Sequence, residues 1–130
     1  MGLFWSGLPP IIIGRAERHD LLVLAMGGTG HSADASDDLL YELGRADVVS
    51  DARLPDDAIR MGSVAAVSVD GERRILRLSY PAGVGADGIS IFSPVGTALL
   101  GLRSGQVMRW IDRSGQTRDV QVHAVRNSPR

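Results

Sequence analysis

SPVGTALLGLRSGQ, which runs from Ser93 to Gln106, is the stretch that decides the fold, because it carries the signals of one short helix between two strand-like segments. Ser93 is a good N-cap, and Pro94 falls at the first helical position, where its missing N–H costs nothing. Gly101 and Gly105 can end the helix, because glycine readily adopts the left-handed backbone that is common at helix C-termini. An i, i+3, i+4, i+7 spacing then puts one apolar face on a sheet, made of Val95, Ala98, Leu99 and Leu102.

Gly96 does not fit this simple helix, because a glycine inside a helix costs up to about 1 kcal/mol relative to alanine. Two interpretations are open. Either a neighbouring strand approaches the helix start too closely for a side chain, or the glycine keeps the helix start flat so that a partner can contact it. In the second case the helix is core on one side and a docking edge on the other.

The segments around this helix alternate like strands. In SVAAVSVDGERRILRLSY, residues 63–80, Asp70-Gly71 separates two such runs, which is the strongest short hairpin signal. Further strands are predicted in ISIF, QVMRWI and TRDVQVHAV. The second half therefore reads as an antiparallel sheet with one packed helix, and the fold class is α+β.

The first half is helical in pattern. RAERHDLLVLAM, residues 15–26, and DDLLYELGRADVV, residues 37–49, flank the polar turn GGTGHSADAS. We expect a short antiparallel helical hairpin whose second helix is capped by Asp34 or Ser36, with Asp37 and Asp38 at its positive end. The chain then divides into residues 1–52, an apolar N-terminal arm with the hairpin, and residues 53–130, the sheet domain.

Composition narrows the class of protein. The 130 residues contain no cysteine, so disulfides and cysteine-bound metals are excluded and a reducing compartment is expected. No apolar run approaches the roughly 20 residues of a membrane span, and the start lacks the features of a signal peptide, so we predict a cytoplasmic protein.

Charge is distributed unevenly although the net charge is only −1. Residues 1–57 hold ten acidic residues and four arginines, whereas residues 58–130 hold five acidic residues and ten arginines. Either the two halves have different partners, or they carry solvated surfaces that attract each other. The basic half is not clustered enough to predict nucleic-acid binding by itself, and no membrane or small-molecule partner is indicated.

No catalytic, metal or cofactor site is predicted. His19, His31 and His123 lie on a helix, a loop and a strand, without the spacing of metal ligands. The GGTGHS segment has glycines like a phosphate-binding loop, but it lacks the Gly-Lys-Ser/Thr ending and does not follow a strand.

ISIFSPVGTALLGLRSGQVMRW, residues 89–110, resembles the C-terminal domain of the bacterial transcript-cleavage factors GreA and GreB. It is more similar still to the Rnk family of regulators of nucleoside diphosphate kinase. The family pattern is Ser-Pro, a small or aliphatic pair, Ala-Leu-Leu-Gly and then Gly-x-x-hydrophobic-x-Trp, and LRLSYPAG also matches a strand that ends in Tyr-Pro. The resemblance covers most of the chain, from about Pro10 to Val125.

The resemblance implies an FKBP-like C-terminal domain and a non-enzymatic transcription regulator. Members of this family bind RNA polymerase near the entrance of its secondary channel, where a Rnk-type protein would compete with Gre-type factors. By motif match, the expected partner-binding residues are at the start of the helix: Ser93, Pro94, Val95, Gly96 and Leu99.

In Gre factors, acidic residues at the tip of a long hairpin help to hold the catalytic magnesium of the polymerase. Here Asp34, Asp37 and Asp38 fall near the expected hairpin tip. A helix of about 12 residues spans only about 18 Å, however, so this hairpin is too short to reach a deeply buried centre. We therefore expect these aspartates to cap and charge-match the second helix rather than to stimulate transcript cleavage.

Two alternatives of other classes stay open. An FKBP-like domain could act as a peptidyl-prolyl isomerase, although Tyr80, Phe92 and Trp110 alone would make a thin aromatic lining. The chain could also be an interaction module that acts on a metabolic enzyme.

Overall fold

The computed structural model describes residues 8–27 and 30–128. The apolar arm at residues 1–7 and the part of the predicted turn at Gly28 and Thr29 lie outside the described residues. The chain forms an α+β fold, as predicted, with two N-terminal helices, a curled sheet and one further helix.

The N-terminal helices pack as a hairpin that two short strands close at its base. Helix α1 spans Arg15–Met26, as the sequence predicts, and helix α2 spans Ala33–Arg45. Strands β1, Ile12–Gly14, and β2, Asp47–Val49, flank the helices and pair in parallel. The prediction that helix continues to Val49 was therefore wrong, because β1 offers residues 47–49 an extended partner.

The cap of α2 also differs from the prediction. The Ser32 hydroxyl accepts a hydrogen bond from the Ala35 N–H at 3.1 Å, so Ser32 is the N-cap. Asp34 and Ser36, the predicted caps, lie inside the helix. Asp34 is in the first turn, where a carboxylate is favourable beside the free N–H groups.

The second half is a five-stranded sheet in the order β5-β4-β3-β7-β6. The hairpin turn predicted at Asp70-Gly71 is confirmed, since both residues adopt positive φ, 50° and 85°. Most neighbours are antiparallel, but β4 and β5 pair in parallel. The strands are β3, Val64–Val69; β4, Glu72–Ser79; β5, Gly88–Ser90; β6, Val107–Ile111; and β7, Thr117–Arg126.

Helix α3, Pro94–Leu99, begins where the sequence predicts, with Ser93 as N-cap and Pro94 at the first position. It is shorter than expected, and all its residues after the exposed Pro94 are buried. The predicted apolar face is buried, but so are Thr97, Leu100 and Gly101. Beyond Pro94 the helix has no solvent-facing side, so only its start could form the docking edge of the second interpretation.

One apolar core joins the hairpin to the sheet. It contains Ile11, Leu21 and Leu39 from the first half together with Leu99 and Trp110 from the second. Backbone hydrogen bonds reinforce this junction: the Ile12 N–H donates to the Gly101 carbonyl, and the Gly101 N–H donates to Ile59. The boundary between residues 52 and 53 stays a prediction.

A buried ion pair fixes the base of α2. Glu42 is completely buried, and its two carboxylate oxygens accept from Arg45 Nε at 2.7 Å and Nη2 at 2.9 Å. Arg45 Nη1 also donates to the Pro9 carbonyl at 2.6 Å.

In residues 8–27 and 30–128, no helix has the length and apolar content that crossing a membrane requires.

Candidate functional site

A groove of about 360 Å³ opens where the hairpin tip meets the sheet domain. Its floor is largely apolar and its rim is charged. Three parts of the chain contribute: the start of α2, the start of α3, and the turn between β6 and β7. The lining residues are Ser32, Asp34, Ala35, Asp38, Phe92, Pro94, Thr97, Trp110, Asp112, Arg113 and Ser114.

Arg113 fastens the hairpin tip to the sheet domain. Its Nε lies 3.2 Å from Asp34 Oδ2, and its Nη2 lies 3.0 Å from Asp38 Oδ1. The same Nη2 donates to the Asp34 carbonyl at 3.3 Å. Partly exposed ion pairs contribute only about 0–1 kcal/mol each, so this contact sets the position of the tip more than the stability of the fold.

An aromatic stack forms a second contact between the tip and the domain. The rings of His31 and Phe92 are nearly parallel, at 8°, with their centroids 3.9 Å apart. His31 Nε2 lies 3.3 Å from the Ala25 carbonyl, at the end of α1. Because of this stack and the Arg113 contact, the tip of the hairpin lies against the sheet domain.

The turn between β6 and β7 holds Arg113 in place. Asp112 Oδ1 accepts hydrogen bonds from the Ser114 hydroxyl at 2.6 Å, the Ser114 N–H at 2.9 Å and the Gln116 N–H at 3.0 Å. These bonds, with that of the Ser114 hydroxyl foremost, lower the pKa of Asp112 below its usual value. An ionised Asp112 therefore keeps the turn closed at neutral pH.

The start of α3 is a rigid edge. The Ser93 hydroxyl donates to the Ser90 carbonyl at 2.6 Å and accepts from the Gly96 N–H at 3.0 Å. The Thr97 hydroxyl donates to the Ile91 carbonyl at 2.6 Å. A Cβ built on Gly96 would lie 1.9 Å from the Ser90 oxygen, so the close approach of a strand accounts for this glycine.

The structure divides the five predicted partner-binding residues into two groups. Pro94 is exposed and Ser93 is half-buried, and both stand at the rim of the groove or next to it. Val95, Gly96 and Leu99 are buried. Their assignment to a contact surface is corrected here, because side chains enclosed by the core have no surface to offer a partner.

The three predicted tip residues also separate. Asp34 and Asp38 line the groove and bind Arg113, whereas Asp37 is exposed and lies outside the groove lining. Sequence reasoning missed Arg113, although the Asp-Arg-Ser-Gly turn was a recognisable signal of a tight loop. The pairing of Arg113 with Asp34, and of Arg103 with Asp57 at 2.8 Å, supports the interpretation that the acidic and basic halves attract each other.

A second polar cluster lies away from the groove, where α1 meets the chain before β3. Glu17 Oε1 accepts from the Met61 N–H at 3.3 Å. Burial is the main reason that the pKa of Glu17 rises to about 7; Asp51 and Asp20 also act to raise it, whereas the Met61 bond and Arg60 act to lower it. Tyr80, expected in the sheet module's aromatic lining, is 40% exposed and is not part of the groove.

The groove has the chemistry of a binding site with a fixed shape. Its floor holds the side chains of Phe92 and Trp110, and the Trp110 ring is also covered by the Arg118 guanidinium at 5.6 Å from the ring centroid. Across the part of the chain that the structure describes, no three acidic or histidine side chains lie together so as to hold a metal ion.

Residues 54–127 match the family model described as transcription elongation factor GreA/GreB, C-terminal domain, and the chain belongs to this family. The predicted resemblance over Ser93 to Trp110 is thereby confirmed.

Curated relatives refine the assignment. The proteins named regulator of nucleoside diphosphate kinase in Escherichia coli and in Shigella flexneri are each 35% identical to this chain over 127 residues, which covers 93% of this chain and 92% of theirs. A solved structure, a prokaryotic transcription elongation factor GreA/GreB from Nitrosomonas europaea, superposes with a TM-score of 0.70. It is 32% identical and covers 92% of this chain and 99% of its own.

Proposed function

We propose that this protein is a non-enzymatic transcription regulator of the Rnk type, which binds RNA polymerase at the entrance of the secondary channel and competes there with Gre-type factors. Its site of action is then the cytoplasm. The proposal extends the family membership to a particular partner, and the single observation that carries it is the exposed Pro94 on a rigid edge beside an apolar groove.

Three features of this edge support a docking role. Pro94 is held by the Ser93 cap and by the buried helix behind it, so a partner would lose little conformational entropy on contact. Phe92 gives the groove an apolar aromatic wall next to Pro94, which is the kind of side chain that anchors protein interfaces. Arg113 and the two aspartates provide a polar rim.

The hairpin supports a competitor rather than a stimulator of transcript cleavage. Helices of 12 and 13 residues span about 18–20 Å. Asp34 and Asp38 are also engaged by Arg113 at the edge of the sheet domain. Neither carboxylate would therefore reach a magnesium ion deep in a polymerase channel while the groove keeps this form.

A pull-down with core RNA polymerase tests the proposal. We expect wild-type protein to be retained and Pro94→Glu to be lost, because the change puts a charge at the centre of the edge. Folding should survive, since a carboxylate at the first position of a helix is favourable. The matched control is Pro81→Glu, which changes another exposed proline at the start of a short 3-10 turn. If both variants were retained equally and their melting curves were unchanged, Pro94 would not belong to the polymerase-binding surface.

A competition experiment tests the proposed mode of action separately from the identity of the partner. A Gre-type factor added in excess should displace the wild-type protein from polymerase if the two share the channel entrance. Simultaneous binding of both would contradict the competitive part of the proposal and leave the docking part standing.

The name of the relatives favours one second candidate, direct binding to nucleoside diphosphate kinase. The same Pro94→Glu and Pro81→Glu variants can be tested against purified kinase. Binding to the kinase and not to polymerase would replace our proposal. The isomerase alternative has less support, because only Phe92 and Trp110 of the expected aromatic residues line the groove.

A further inference from the structure

The outer side of the sheet carries an arginine-rich surface that is separate from the groove. In the register of β3 and β4, Arg73, Ile75 and Arg77 lie opposite Ser68, Ala66 and Val64 and alternate with positions that face the core. In β7, Arg126 lies beside Val64 from the other side. We call Arg73, Ile75, Arg77 and Arg126, with the small residues between them, the arginine face.

The arginines of this face have few partners of their own. Some arginines elsewhere in the molecule bind acidic side chains, as Arg45, Arg103 and Arg118 do. Within residues 8–27 and 30–128, the side chains of Arg73 and Arg126 make neither an ion pair nor a hydrogen bond, and Arg77 makes one bond, to the Gly62 carbonyl at 3.2 Å.

The nearest acidic residues by register are Glu72, which precedes Arg73 at the start of β4, and Asp119, which faces Arg109 on β6. Within residues 8–27 and 30–128, neither forms an ion pair with an arginine of the face. The strands that carry the arginine face have apolar, hydroxyl or imidazole side chains between the arginines. Ser68 and His123 bind each other there at 2.7 Å. The face therefore keeps a local positive charge that its own surroundings do not neutralise.

Shape and apolar content distinguish this face from a purely electrostatic patch. Ile75 is 67% exposed at its centre, between Arg73 and Arg77 and beside Ala66. A hollow of about 230 Å³ lies at one end, with Val64, Arg77 and Arg126 in its wall. Since two strand spacings separate these arginines by about 10 Å at the backbone, their long side chains can converge on one anion in the hollow.

We propose that the arginine face is a docking surface for an acidic protein segment that carries an apolar residue between its carboxylates. Arginine is enriched in protein interfaces, and an exposed isoleucine inside a ring of charges matches the apolar centre and polar rim of such surfaces. Nucleic acid fits less well, because the face offers no aromatic side chain for base stacking and its apolar centre would be left without a partner.

This surface and the groove do not overlap. Trp110 and α3 pack on the inner side of the sheet, whereas Ile75 projects from the outer side. The inference therefore stands or falls independently of polymerase binding, and variants of one surface should leave the other intact.

Fluorescence anisotropy with a labelled peptide tests the inference on the full-length chain. The probe is a short peptide of aspartate and glutamate with one central leucine. A second peptide has serine in place of leucine, and a single-stranded RNA of mixed sequence forms a separate arm. We expect the leucine peptide to bind, with an affinity that falls as salt rises.

Variants then locate the site. Arg77→Glu should weaken peptide binding about tenfold or more, because a charge of the wrong sign would stand at the hollow. Arg53→Glu is the matched control, since it makes the same change of charge at an exposed arginine in the 3-10 turn Asp51–Arg53, outside the sheet. Ile75→Ser should remove the preference for the leucine peptide over the serine peptide. Melting curves verify that each variant is folded.

Three results would overturn the inference. The first is an absence of peptide binding by folded wild-type protein at low salt. The second is an equal loss of affinity in Arg77→Glu and Arg53→Glu, which would mean that overall charge alone drives binding. The third is tighter binding of the RNA with the same dependence on Arg77, which would assign the face to nucleic acid.

Discussion

Replacing Glu17 by glutamine should make the protein more stable, by an amount that grows as the pH rises from about 4.5 to about 7 and then stays constant. Glu17 lies in the first turn of α1, where its carboxylate accepts one hydrogen bond, from Met61, and is otherwise largely enclosed. Burial is the main reason that its pKa rises from 4.5 to about 7. The fold therefore favours the protonated acid, and ionising it at higher pH works against folding.

The size and sign of the effect follow from linkage. A group whose pKa is higher in the folded state contributes stability below its unfolded pKa, and this stability is lost as pH rises through the folded value. Between pH 4.5 and about 7 the wild-type protein should therefore lose stability on account of Glu17. At about 1.4 kcal/mol per pH unit, a shift of this size would amount to about 3.5 kcal/mol, and solvent screening of this half-buried group reduces the loss to about 2–3 kcal/mol. Glutamine is neutral and similar in shape, and its oxygen can accept the same bond from Met61.

Urea unfolding across this pH range provides the measurement. Near pH 4 the Glu17→Gln variant and the wild type should have similar free energies of unfolding, and at pH 8 the variant should be more stable by about 2–3 kcal/mol. Glu72→Gln changes an exposed glutamate at the start of β4 and should produce no such divergence. If the Glu17→Gln and wild-type curves run parallel over the whole range, the burial of this carboxyl does not have the cost that we assign to it.

Two further predictions concern the core. Gly96→Ala should destabilise the protein by about 1–3 kcal/mol or more, because the new methyl group collides with the backbone of Ser90; an unchanged urea midpoint would contradict the close packing described above. Arg45→Met should cost about 3–5 kcal/mol by leaving the carboxylate of Glu42 buried and unpaired. Adding Glu42→Leu to Arg45→Met should recover most of this loss, and a double variant as unstable as the single one would show that packing rather than charge is responsible.

Local signals in the sequence were sufficient for several elements. The Ser93-Pro94 pair identified the start of α3, because an N-cap followed by proline acts within one turn of the chain. Asp70-Gly71 identified the β3–β4 turn for a similar reason, since the required positive φ is a property of the two turn residues themselves. The bounds of α1 were also correct.

Features that depend on distant residues were missed. Strand β2 looked like the end of a helix because its extended form depends on β1, which lies more than thirty residues earlier in the chain. The parallel pairing of β5 with β4 has no signature within either strand. The candidate site shows the same division between local and distant signals. The position of Pro94 at the helix start could be predicted from local sequence. The burial of Val95 and Leu99 and the contact of Arg113 with Asp34 could not, because they arise from tertiary packing.

The burial of α3 changes what binding at this edge would involve. A partner that reaches Pro94 meets the hairpin tip and the β6–β7 turn at the same time, because all three line one groove. The ion pairs that hold the tip contribute only about 0–1 kcal/mol each, so a partner with its own charged groups could exchange them at small cost. The His31–Phe92 stack would then be the contact that decides whether the tip stays in place. Docking at Pro94 would therefore be coupled to the position of the acidic tip by the geometry of the groove.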